Sequence, residues 1–154
     1  MNQSEHALQG ANEYKLDPKC RVSVPSDWRN YLGSGQLRLM QSKCYKLKTL
    51  RVVTQEEYES MLEDVDKLEG VSRAKKKDYL GKLHSRIMKI SMSEQGKISV
   101  PKAWCERPGL EPGGAVWLVG RGTYFELFNV SNFEDMRLRE DAETEDLNEE
   151  LGFF

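Results

Sequence analysis

The octet RVSVPSDW at residues 21–28 is written a second time as KISVPKAW at residues 97–104, 76 positions later. Ser23, Val24, Pro25 and Trp28 recur as Ser99, Val100, Pro101 and Trp104, while Arg21 and Val22 recur conservatively as Lys97 and Ile98. The chain has three tryptophans in all, so two in register weigh more than shared valines would. A constant offset marks a repeated structural unit, and Gly33 and Gly109, also 76 apart, carry the match beyond the octet.

Each copy follows one script. In the first, NEYKL (12–16) and RVSV (21–24) alternate in polarity and read as strands joined by the turn DPKC, with Asp17 and Pro18 as turn-formers. Pro25 opens a short helix carrying Trp28 and Leu32, and Gly33 stops it. In the second, KISM and KISV are the strands, SEQG the turn, and Pro101 opens a helix with Trp104. A strand pair follows in each copy. LRLMQSKCYKLKTLRVV is expected to turn near Gln41–Lys43, and AVWLVGRGTYFELFNV at Gly120-Arg121-Gly122. Thr54 and Glu57 form a capping box ahead of a helix with Tyr58, Met61, Leu62, Val65 and Leu68 at helical spacing, and Ser131 with Glu134 reads as the same box ahead of Phe133 and Met136. Between the copies, Ser72 caps a predicted helix through RAKKKDYLGKLHSRI, with Tyr79, Leu80, Leu83 and Ile87 as its apolar side.

About four short strands per copy are too few to bury both faces of a sheet. Two copies that exchange hairpins can close a small barrel and remove exposed edges, which makes the chain a built-in pseudo-dimer. The expected class is therefore mostly β with short helices (α+β). Four segments follow: 10–69, the first repeat with its helix; 70–86, a helical connector; 87–139, the second repeat with its helix; and 140–154, an acidic tail.

Charge is unevenly spread. The formal net charge is −2, yet residues 134–150 hold nine acids against two bases, a net −7, which leaves a body of +5. A basic body is compatible with polyanion binding. The tail is expected to be solvated and mobile, or else to compete with a polyanion for the basic face; Leu151, Phe153 and Phe154 suggest docking on a neighbour. Lys75–Lys77 read as a solvated helix start or as phosphate contacts. No apolar run approaches the ~20 residues a membrane helix needs, and MNQSEHALQG has no signal-peptide character. Cys20, Cys44 and Cys105, odd in number and without CxxC spacing, argue against a disulfide framework and a zinc site.

The stretch YKLDPKCRVSVPSDWR resembles the strand–loop–strand of AbrB-type DNA-binding domains, roughly L-D-x-K-G-R-[apolar]-x-[apolar]-P, and ISMSEQGKISVPKAW resembles a second copy. Two copies in about 150 residues, followed by GRGTYFELFNVSNFEDM, resemble the MraZ family of bacterial transcriptional regulators, from about Gly10 to Met136. The resemblance implies an AbrB-like swapped-hairpin β-barrel from two tandem SpoVT-AbrB-type pseudo-repeats. It also implies a ring of identical chains, and loops that face short direct repeats in a promoter of division and cell-wall genes.

The loop residues fit that expectation. Lys19 and Arg21 flank a tight turn and project from one edge. Arginine's planar fork can bond guanine O6 and N7, worth roughly 1–3 kcal/mol of discrimination, whereas lysine offers a point charge suited to phosphate. Asp17, four residues before Arg21, can cap the turn and hold the guanidinium; the plain alternative is an ordinary surface ion pair worth little. Cys20 stands where the family pattern has glycine. If that position needs positive φ, the substitution costs roughly 1–2 kcal/mol. The second loop, Ser93-Glu94-Gln95-Gly96-Lys97, keeps glycine but has serine for aspartate and lysine for arginine. Lys97 therefore supplies attraction, with Gln95 as an adenine reader if it points outward. Lys15, Arg29, Lys43, Lys46 and Lys48 are candidate phosphate contacts or simply solvated strand-edge residues.

Two other functions compete with this reading. An enzyme finds little support: His6 and His84 are the only histidines, and no nucleophile elbow, phosphate-binding glycine loop or carboxylate pair is written in the chain. No cofactor, metal or small-molecule substrate is expected. An antitoxin-like protein-interaction module is favoured only by the acidic, aromatic-tipped tail. The expected partners are double-stranded promoter DNA and further copies of the chain, in a bacterial cytoplasm at the nucleoid.

Overall fold

The computed structural model describes residues 7–33 and 36–154; His6 lies outside them. The chain runs β1 (Ala11–Lys15), β2 (Arg21–Ser23), α1 (Ser26–Leu32), β3 (Leu37–Cys44), β4 (Leu47–Thr54), α2 (Gln55–Asp66), α3 (Arg73–His84), β5 (Ile87–Ile90), β6 (Lys97–Ser99), α4 (Lys102–Glu106), β7 (Ala115–Gly120), β8 (Tyr124–Phe128), α5 (Val130–Glu143) and α6 (Glu145–Leu151). This is an α+β fold, and the element order β-β-α-β-β-α occurs twice.

The two copies interlock. A six-stranded antiparallel sheet has the order β1-β7-β8-β4-β3-β5, and β2 pairs with β6 in a separate two-stranded ribbon. The first strand of each copy pairs with the hairpin of the other: β1 with β7, and β5 with β3. The hairpins meet at the centre, β4 against β8. The expected closed barrel does not form. The ladder ends at β1 and β5, and β2 and β6 are too short, at three residues each, to bridge those edges.

Strand alternation divides the sheet into two faces. Leu37, Leu39, Leu50, Val52, Val116, Leu118, Phe125 and Leu127 point one way and bury against Val22 and Ile98 of the ribbon, with Trp28 and Cys105 from the short helices. Trp28 sits 5.1 Å from the Phe125 ring and donates its indole N–H to Gln9 O at 2.9 Å. The opposite face carries Val119 and Phe128 beneath Phe133 and Met136 of α5, and Val53 beneath Tyr58 of α2 and Leu83 of α3. The ribbon with α1 and α4 therefore lies on one side of the sheet, and α2, α3 and α5 on the other.

Local expectations fare unevenly. Thr54 and Ser72 cap α2 and α3, their hydroxyls accepting from Glu57 N and Lys75 N, and Gly33 ends α1 at φ 62°. The first hairpin, expected to turn at Gln41–Lys43, turns at Tyr45–Lys46. Both residues have positive φ, 50° and 68°, as a two-residue hairpin turn requires; neither is the usual Gly or Asn, so the signal is absent from the letters. Ser131 is not the cap of α5. Asn129 is: its Oδ1 accepts from Asn132 N at 2.7 Å while its Nδ2 donates to Pro108 O. The connector helix ends at His84, and Ile87 belongs to β5. Residues 140–154 are mostly helical, continuing α5 into α6, and largely exposed. Among the described residues no helix is long and apolar enough to cross a membrane, and no group of three or more His, Cys, Asp or Glu could hold a metal.

Candidate nucleic-acid interface

The two loops are built on the same hydrogen bonds at the same offset. In the first, Asp17 N donates to Arg21 O and Cys20 N to Asp17 O; in the second, Ser93 N donates to Lys97 O and Gly96 N to Ser93 O. The side chain at the first loop position then caps the turn. Asp17 Oδ1 accepts from Lys19 N and Arg21 N, both at 2.9 Å, and Ser93 Oγ accepts from Lys97 N at 3.1 Å. Serine keeps this one backbone bond, but it cannot brace a cation.

Asp17 does. Its Oδ2 accepts from Arg21 Nε at 2.8 Å while the arginine side chain stays 44% exposed. The Arg21 backbone N–H, then the guanidinium and the Lys19 N–H, hold the Asp17 carboxyl below the usual carboxylate range. One edge of the guanidinium is thereby fixed and the remaining donors face solvent.

The ribbon sets where these groups point. Along β2, Arg21 is exposed, Val22 buried and Ser23 half-buried; along β6, Lys97 is half-buried, Ile98 buried and Ser99 exposed. The register pairs Arg21 with Ser99 and Ser23 with Lys97. Arg21 and Lys97 therefore lie diagonally across the outer face, as neighbours roughly 7–8 Å apart. A two-stranded ribbon is narrow enough to enter a DNA major groove. Lys15, Lys19, Glu94 and Gln95 are exposed beside it.

Four candidates lie elsewhere. Lys43 and Lys48 are direct partners in the β3–β4 ladder, with Lys46 at its turn; they form one cationic hairpin tip, held to α5 where Arg139 donates to Tyr45 O. Arg29 is turned inward. It is half-buried, and its Nε donates to Val24 O at 2.9 Å. It fills the space that Gly96 leaves: a Cβ on Gly96 would fall 2.2 Å from Arg29 Nε.

This last contact exposes a swap between the copies. The position 76 after Arg29 is Cys105, and the position 76 before Gly96 is Cys20. Where the second loop packs glycine under arginine, the first packs Cys20 against Cys105. Both cysteines are buried, and burial together with a bond to Cys20 pushes the Cys105 thiol up to about 12, so the pair is packing rather than chemistry. Cys20 holds φ 60°, the left-handed conformation anticipated for the glycine position. Aligning the copies at offset 76 pairs both positions and would have shown the exchange in advance. Gly96→Ala is expected to cost roughly 1–2 kcal/mol for its left-handed backbone alone, and more through displacement of Arg29. Thermal melting should show a clear loss for the single variant and partial recovery when Arg29→Ala is added. No recovery would mean that the Arg29 contact is immaterial.

Two interlocked copies of one strand–loop–strand unit, turning their loops to the same outer ribbon, define a duplicated α+β protein with a paired cationic loop surface. Proteins of known role share this sequence over most of its length. The chain is 30% identical over 130 residues to transcriptional regulator MraZ of Acidovorax sp. (strain JS42), covering 82% of this chain and 85% of that protein. It is 26% identical over 132 residues to transcriptional regulator MraZ of Mycoplasmopsis pulmonis (strain UAB CTIP), covering 85% and 84%. The solution structure of PHS018 from Pyrococcus horikoshii is similar at 12% identity and a TM-score of 0.36, over 76% of this chain and 94% of that one. No family model matches. The chain belongs to the MraZ family of transcriptional regulators.

Proposed function

We propose that this protein regulates transcription by binding double-stranded DNA sequence-specifically through the β2–β6 ribbon and its two loops. Arg21, braced by Asp17, reads bases; Gln95 adds a second reader; Lys19 and Lys97 draw in the phosphates. Lys15 and the Lys43–Lys46–Lys48 hairpin tip extend the attraction, and Arg29 contributes by supporting the second loop. The observation that carries this reading is the outward, Asp17-braced Arg21 on a ribbon narrow enough for a major groove.

One chain offers a small contact, so several must act together. Identical copies in a ring meeting short, evenly spaced promoter repeats gain affinity through effective concentration. The regulated genes are those of division and cell-wall synthesis, with repression the expected sign, in the bacterial cytoplasm at the nucleoid. The repeats 10–69 and 87–139 form the DNA-facing body, 70–86 links them, and 140–154 stays outside it.

The test is fluorescence anisotropy with duplex from upstream of the protein's own gene, against a scrambled duplex, at two salt concentrations. Binding should fall steeply with salt, as counterion release requires, and the native duplex should bind more tightly at both. Equal affinity for the two duplexes would remove sequence-specific reading, and a salt-independent signal would remove the cationic loops from it.

A further inference from the structure

The helix side of the sheet carries two surfaces of opposite charge, of which the proposed DNA contact uses only Lys43. One runs along α3. Lys75, Tyr79 and Lys82 recur at intervals of four and three and so share a face, and Arg86 follows in the turn after the helix. Beside it open two clefts of about 320 and 610 Å³ that meet at Tyr79. The smaller has an apolar floor of Val65, Leu68 and Val71, with Lys75 and Lys76 on one side of its rim and Asp64 on the other. The larger is lined by Lys43, Lys82, Arg86 and Arg107, with no carboxylate among its described residues. Arg107 is pinned there by bonds to Ser42 O and Thr49 O, and burial, then the nearby Arg86 charge, lower its pKa. In the larger cleft the cations stand together with no carboxylate in the lining. Leu68 and Tyr79 are 50% and 55% exposed.

The other surface is α6 with the residues after it. Leu147 and Leu151 stand one turn apart and are 54% and 59% exposed, followed by Phe153 and Phe154. The Asn148 side chain clasps the backbone of Phe154, accepting from its N–H at 2.9 Å and donating to its carbonyl at 2.7 Å. This fixes the aromatics at the end of the helix. Glu145, Asp146, Glu149 and Glu150 flank the apolar strip. Within the chain α5 covers the Val119–Phe128 cluster and α6 continues beyond it with no buried residue, while α2 and α3 cover the Val53 cluster.

An apolar strip edged with acids matches an apolar-floored groove whose rim carries several bases against the single carboxylate of Asp64. We propose that residues 145–154 of one copy dock in the α2–α3 groove of a second copy. This is helix-in-groove recognition. The seven residues of α6 span about 10 Å, and the helical stripe from Lys75 to Lys82 about the same, so the two lengths match. The two surfaces differ, so the contact is head-to-tail, and repetition gives a ring where the rotation closes. The inference rests on the self-association in the proposed function and assigns its surfaces.

A charge exchange tests it on the full chain. Sedimentation velocity is run on the native protein, on Lys75→Glu/Lys82→Glu, on Glu149→Lys/Glu150→Lys, and on an equimolar mixture of the two variants, with circular dichroism to confirm folding. Each variant alone should assemble at least tenfold more weakly than the native protein, and the mixture should regain association because a reversed groove meets a reversed tail. Phe153→Ala/Phe154→Ala should weaken assembly with the charges intact. If the native protein assembles and the variants assemble equally well, the docking site is wrong while self-association stands. Weakened variants that fail to complement one another in the mixture also overturn it. A native protein that stays monomeric at all concentrations overturns both this contact and the multi-copy reading beneath it.

Discussion

Arg21→Ala should lose sequence-specific DNA binding while the protein stays folded. The arginine side chain is 44% exposed, and the turn beneath it is held mainly by Asp17 accepting from backbone N–H groups, so truncation leaves the ribbon in place. A bidentate guanine contact is worth roughly 1–3 kcal/mol, about 5- to 150-fold per chain, and copies acting on one DNA multiply that loss. Arg21→Lys should restore part of the affinity and little of the discrimination, because an ammonium lacks the planar fork. Lys97→Arg should work in the opposite direction, though Ser93 offers it no brace. Anisotropy on native and scrambled duplexes separates these effects. If Arg21→Ala keeps the native preference, specificity resides elsewhere on the protein. The brace also has a pH sense. Asp17 has a lowered pKa, so its stabilisation of the loop is present above the ordinary carboxylate range and fades only as pH falls through the lowered value. Discrimination should therefore be flat through neutrality and fail in acid.

The repeat made most of this architecture legible, because an offset of 76 is carried by backbone-determining residues. Pro25 and Pro101 must start helices, Gly33 and Gly109 must follow them, and Trp28 and Trp104 must turn toward a core. The loops were readable for a similar reason: Asp17 and Ser93 are both short acceptors able to close a turn, and the structure gives them the same backbone bonds. What could not be read is what depends on the partner copy. Whether a sheet closes depends on the lengths of strands that meet across the molecule, and β2 and β6 are short. Arg29 reads as a surface cation because nothing adjacent in sequence says that Gly96 lies beneath it. The β3–β4 turn was misplaced because Tyr45 and Lys46 accept positive φ without the residues that usually announce it. Asn129, two residues ahead of a plausible serine cap, is chosen because its amide also satisfies the Pro108 carbonyl, a contact 21 residues away.

Arg121→Ala should have the largest effect on stability. The residue sits between Gly120 and Gly122 in the β7–β8 turn, where sequence suggested only a hairpin signal, and it is the hub of a buried network. Its Nε meets Glu126 Oε1 at 2.9 Å and one terminal nitrogen meets Glu140 Oε1 at 2.6 Å. The side chain of Glu126 is 2% exposed, with Thr49 Oγ1 donating to its other oxygen at 3.2 Å. Burial alone would lower the Arg121 pKa, yet the bonds and charges of Glu126 and Glu140 override it and hold the guanidinium ionised. Removing it strands a carboxylate inside the sheet and releases Glu140, which ties the acidic helix α5 to the hairpin. Breaking a buried pair from one side costs about 3–5 kcal/mol, and at 2–4 °C per kcal/mol for a chain of this size the melting midpoint should drop by roughly 10 °C. Residues 130–154 should also become more susceptible to protease. Replacing both partners, as Arg121→Met with Glu126→Leu, should recover most of the loss, because apolar pairs of similar volume substitute well for buried ion pairs. A single variant that melts within a degree of the native protein would show that Glu126 is reached by water and that α5 is held by Phe133 and Met136 alone.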